Sequence, residues 1–134
     1  MDLHKIAGKY EEFGTWKDCN GNSGKLAGSF QVVRFCDNRL YFEYGSTEEI
    51  QISEEIESHD RPVRLSSQFG EGNILIGDKS IILEYTTEVD GRVERNTDIW
   101  SFGTNRVQRH GVIRQETRTI WFEAEMKKVQ YGLA

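Results

Sequence analysis

At 134 residues the chain is the size of one domain, and a single proline, Pro62, leaves little room for linkers. Seventeen Lys and Arg against 22 Asp and Glu give a net charge of −5, which argues against a nucleic-acid or anionic-membrane partner, since either would want a basic face. No stretch approaches the roughly 18 apolar residues of a membrane-spanning helix, and the first residues carry no apolar segment of the kind that opens a secretory signal.

In chain order, residues 2–8 are expected to form a short helical lead-in. Residues 10–17 read as a first strand, and the Asn- and Gly-rich run from Asp18 to Gly24 as a loop. A second strand covers 26–35, Asp37-Asn38 makes a tight turn, and 40–44 return from it. Residues 49–56 alternate through Ile50, Ile52 and Ile56, and Glu57 to Pro62 is a polar loop. Residues 63–69 alternate through Val63, Leu65 and Phe69, followed by a short apolar strand at 73–77 and a turn at 77–79.

The second half is the more decisive. Asp90-Gly91 separates two alternating runs, 80–89 and 92–102. A type I′ turn needs positive φ at both central residues, so Asp-Gly here predicts a two-residue hairpin that also fixes register. Val89 then faces Arg92, Tyr85 faces Asn96, Leu83 faces Asp98 and Ile81 faces Trp100. Further turns at Thr104-Asn105 and Glu116-Thr117 pair Trp100 with Arg109, Asp98 with Gly111, Gly111 with Phe122 and Arg109 with Ala124. All these registers agree on one inner face. It holds Ile81, Leu83, Tyr85, Asn96, Asp98, Trp100, Phe102, Arg109, Ile120, Phe122, Ala124 and Met126. Glu84, Thr86, Glu88, Arg95 and Thr97 fall on the outer face, as do His110 and Trp121. The last is either a lone exposed aromatic or part of a contact between two copies of the chain.

The expected fold is all-β: an antiparallel up-and-down β-barrel of about nine or ten strands, whose closure removes the exposed edges of the sheet. Its interior is apolar with polar groups embedded in it, the composition of a small-molecule site. Tyr44, Tyr85, Asn96, Asp98, Trp100 and Arg109 are the candidate ligand-binding residues, and Gln31 shares their face. Asp98 and Arg109 flank Trp100 and are expected to contact each other, either as a structural ion pair or as a polar anchor for a ligand. An Asp beside an Arg is a poor catalytic acid, because the cation favours the ionised carboxylate.

The Phe13-Gly14-Thr15-Trp16 segment, a meander of antiparallel strands and a late arginine together resemble the calycins, the superfamily of lipocalins, fatty-acid-binding proteins and nitrobindin-like barrels. The resemblance implies a lipocalin-like barrel in which Trp16 closes one end against an arginine. Arg109, Arg114 and Arg118 are the candidates for that arginine. The sequence departs from the secreted lipocalins in lacking their disulfides, and from the nitrobindin-like barrels in lacking their glycine-rich continuation, so no haem is expected.

The expected function is binding of a small apolar or amphipathic molecule inside the barrel. The alternatives are an isomerase- or cyclase-type enzyme using the cavity as a reaction chamber, and a protein-interaction module with a filled barrel. No catalytic residue, metal ligand or cofactor is assigned. His4, His59 and His110 are scattered, and Cys19 and Cys36 have no metal-binding spacing. Two cysteines make no disulfide framework, which points to free thiols in a cytoplasmic protein.

Overall fold

In a computed structural model of the chain, which describes residues 2–37, 39–44, 48–52, 62–67, 70–104 and 106–129, ten strands and one short helix are present. They are α1 (Leu3–Ile6), β1 (Gly8–Asp18), β2 (Ser23–Cys36), β3 (Arg39–Tyr44), β4 (Glu48–Ile52), β5 (Val63–Ser67), β6 (Gly70–Ile76), β7 (Ser80–Val89), β8 (Arg92–Phe102), β9 (Val107–Arg114) and β10 (Thr119–Lys128). Each strand pairs antiparallel with the next, and β1 pairs with both β2 and β10, closing the sheet into a barrel. The expected all-β barrel is the observed one.

The registers follow from turn chemistry. Asp90 and Gly91 both take positive φ, 52° and 76°, and Val89 pairs with Arg92. Along that hairpin Tyr85 faces Asn96, Leu83 faces Asp98 and Ile81 faces Trp100. Beyond it Trp100 faces Arg109, Gly111 faces Phe122 and Arg109 faces Ala124, as the sequence predicts. The pairing of Cys36 with Arg39 fits a turn at 37–38. Of the expected turn residues, Asn38 and Asn105 lie outside the described residues, as do residues 53–61 with Ile56 and the polar loop, and Phe69.

Strand β1 runs one residue further than expected, through Asp18, and β2 begins at Ser23, so the connecting loop is only residues 19–22. The β1–β2 ladder shifts register between Glu12 and Phe13, a bulge that the alternation in the sequence does not reveal. Tyr10, Glu12 and Asp18 are buried, whereas Phe13 is exposed, so the even-numbered residues of β1 face inward.

The two ends of the barrel differ. The end carrying α1 is filled. Asp2 caps α1, its carboxylate accepting a hydrogen bond from the His4 amide at 3.1 Å. Leu3 and Ile6, three apart on one helical face, are buried against the barrel. The Tyr10 hydroxyl donates to the Ile6 carbonyl at 2.6 Å, tying the helix to β1. Beneath lie Val33, Leu40, Phe42, Leu65, Ile74, Ile81, Leu83 and Met126. Trp100 is at their centre, fully buried, with the rings of Tyr10 and Phe42 edge-on to it at 5.8 and 5.6 Å. The other end, where β1 meets β2 and β9 meets β10, has no such plug among the described residues. Among the described residues no helix is long and apolar enough to cross a membrane.

Candidate functional site

Above the Trp100 core the barrel interior turns polar. Four buried residues form one network: Glu12 from β1, Gln31 from β2, Asp98 from β8 and Arg109 from β9. Their strands are brought together by the closure of the sheet through β1 and β10. Arg109 donates from Nε to both oxygens of Asp98, at 2.9 and 3.0 Å, and from Nη2 to Oδ2 at 2.8 Å. This bidentate fork is the strong geometry for a guanidinium and a carboxylate. Nη1 donates to Glu12 Oε2 at 2.8 Å, and the same oxygen accepts from Gln31 Nε2 at 3.0 Å. The guanidinium lies between two rings, 4.7 Å from the centroid of Phe122 and 5.9 Å from that of Trp100. Two carboxylates therefore share one guanidinium. Among the described residues three buried polar atoms have no hydrogen-bond partner: Gln31 Oε1, Trp100 Nε1 and Arg118 Nε.

A cavity of about 330 Å³ opens on the unplugged side of this network. Glu12, Gln31 and Arg109 make its polar floor. Leu26, Ile113, Ile120 and Phe122 contribute apolar walls, and Trp16 and Arg118 complete the lining. Two concavities of about 380 and 400 Å³ lie elsewhere. One runs over the outer surface of β1, β9 and β10 past Phe13, Thr15 and His110, and the other sits between the β8 start and the β9–β10 turn. Neither combines apolar walls with a buried polar floor, which makes the inner cavity the better candidate site despite its smaller size.

Trp16 meets an arginine from the second half of the chain, and of the three candidates it is Arg118, whose guanidinium lies 5.7 Å from the ring centroid. On its other side Trp16 packs directly on the backbone of Gly24, where any Cβ would run into the indole nitrogen. Arg118 is held in turn by Asp18, Nε to Oδ2 at 3.4 Å. The Asp18 carboxylate accepts from the side chain of Asn22 and from the amides of Asn22 and Asn20, at 3.0, 2.8 and 2.9 Å. The Asn22 side-chain bond is the main reason that its pKa lies below the usual carboxylate value. Burial opposes the shift, while the two amides and Arg118 reinforce it. Trp16 is only half-buried and borders the cavity, whereas the plugged end is filled by α1, Tyr10 and Trp100.

Of the six candidate ligand-binding residues, Arg109 alone lines the cavity among those whose side chains are described. Asp98 binds Arg109 from below, and Trp100 is sealed in the core. Asn96 is buried opposite the half-buried Tyr85, two pairs along β7–β8 from Asp98 towards the open end. Tyr44 pairs with Gln31 in the ladder, and its side chain lies outside the described residues. Glu12 is the participant that the sequence reading missed. Its signal was its place two residues from Tyr10 and four from Trp16, on the inward parity of β1. His110 faces outward opposite Ile99, and Trp121 is exposed opposite Val112, as the registers predict. No group of three or more metal-ligating side chains occurs among the described residues.

No protein-family model matches the chain, and no curated protein is similar enough to count as a relative.

Proposed function

We propose that the protein is a calycin-like barrel that binds a small apolar or amphipathic molecule in the cavity at its unplugged end. The observation that carries this reading is the pairing of an apolar-walled interior space of about 330 Å³ with a buried floor of Glu12, Gln31 and Arg109. That volume falls within the range of small-molecule pockets, and a few fixed polar groups among apolar walls are what orient a ligand. The exposed free thiols of Cys19 and Cys36 suit a reducing, intracellular setting.

The test is titration with N-phenyl-1-naphthylamine, an uncharged apolar fluorophore whose emission rises on leaving water. It should bind with one site per chain. Leu26→Trp, which fills the space from one wall while leaving the Arg109 network intact, should weaken binding by about tenfold or more with an unchanged denaturation midpoint. Equal binding by the parent and the Leu26→Trp variant would place the probe elsewhere and overturn the reading.

A further inference from the structure

We infer that the ligand of this cavity carries a protonated amine and not a carboxylate. The inference rests on the reading above and specifies the chemistry of that site. Among the described residues, the charged groups lining the cavity are Glu12, Arg109 and Arg118, and Asp98 and Asp18 are bound to the two arginines. Three carboxylates stand against two guanidiniums, a formal excess of one negative charge. Arg118 is ion-paired with Asp18 at 3.4 Å, its Nε making no hydrogen bond, and its charge is offset by that carboxylate. Arg109 already holds Asp98 through Nε and Nη2 and Glu12 through Nη1. A ligand carboxylate would arrive as a third anion around one buried guanidinium, where like charges are poorly screened.

The second observation concerns hydrogen bonding and is independent of charge. Gln31 is 6% exposed, forms part of the cavity floor, and leaves Oε1 without a partner. The amide orientation follows from its neighbour, because Nε2 donates to Glu12. Glu12 accepts both of its hydrogen bonds through Oε2, so its second oxygen makes none among the described residues. A buried acceptor left unmade is costly, and a donor from the ligand relieves that cost. A primary ammonium brings several donors and one positive charge to a floor that has spare acceptors and excess negative charge. The apolar walls of Ile113, Ile120 and Phe122 then take its hydrocarbon part.

The experiment is calorimetric titration of the full chain at neutral pH with octylammonium, octanol and octanoate, which share a tail and differ in head group. Octylammonium should bind about tenfold or more tighter than octanol, with octanoate the weakest. Glu12→Gln should abolish the preference for the ammonium over the alcohol. Should that variant fail to fold, Gln31→Leu removes the open acceptor, and should weaken octylammonium severalfold while leaving octanoate unchanged. Octanoate or octanol binding as tightly as octylammonium overturns the inference and leaves the cavity reading standing. An absence of binding by all three overturns both.

Discussion

Arg109 joins the two halves of the interior, and its energetics follow from burial. Its side chain reaches carboxylates on strands at opposite ends of the sequence, Glu12 and Asp98. Removing one partner of a buried ion pair typically costs about 3–5 kcal/mol, because the charge left behind is uncompensated. Asp98→Ala and Arg109→Ala should each destabilise by that order. The double variant should cost less than the sum, since their mutual interaction is lost only once. Urea denaturation of the four proteins measures the coupling, and strictly additive losses would contradict it. Asp98 and Arg109 were legible in the sequence because two short turns fix their register against Trp100. The role of Glu12 was not. Its partner Arg109 is 97 residues away in sequence, and the strand that brings them together is joined by closure, not by a turn.

At the scale of elements, the hairpins and the short helical lead-in were readable, but the docking of that helix as a plug was not. Alternation plus Asp90-Gly91 determines which side of β7 and β8 faces inward, and a slip of one residue would have put Glu84 and Arg95 in the core. A four-residue helix is too short for periodicity to show which face it buries, and its value lies in docking: two buried apolar side chains and the Tyr10–Ile6 hydrogen bond. Trp16 lies at the opposite end, half-buried beneath Arg118 and bordering the cavity, so it meets its arginine without closing that end as the calycin resemblance implied. The Tyr10 hydroxyl also makes the helix contact sensitive to alkali. Burial pushes its pKa from 10.0 up to about 12. An acid whose pKa is raised on folding loses its proton more readily in the unfolded chain, so the stabilisation is complete below pH 10 and is lost as pH climbs towards 12. Tyr10→Phe should therefore cost about 1 kcal/mol at neutral pH through the lost hydrogen bond. Its disadvantage relative to the parent should shrink across that alkaline window. Thermal melts at a series of pH values compare the two, and a constant gap between them would show that Tyr10 does not titrate with folding.

For the molecule as a whole, the determining feature is the seam at which β1 joins β10. Nine residue pairs run along it, from Tyr10 opposite Lys128 to Asp18 opposite Ile120. The local turns specify a meander, and a meander could end as an open, curled sheet with β1 and β10 as free edges. What favours closure is chemistry that only the closed form satisfies. Glu12 reaches Arg109, Cys19 and Thr119 exchange hydrogen bonds at the foot of the seam, and Arg118 stacks over Trp16. The binding cavity depends on the same closure, since Trp16 and Glu12 line it from one side of the seam and Ile120 and Phe122 from the other. Hydrogen exchange distinguishes the two forms, because an edge strand leaves alternate amides open to water, whereas in a closed barrel they are released only by large-scale opening. The seam amides of Thr15, Lys17, Trp121 and Glu123, which point across the β1–β10 ladder, should exchange about as slowly as those of Leu83 and Trp100 in the β7–β8 hairpin. Alternate amides of β1 and β10 exchanging like those of surface loops would mean that the sheet is open, and that the cavity and its buried floor are not maintained in solution.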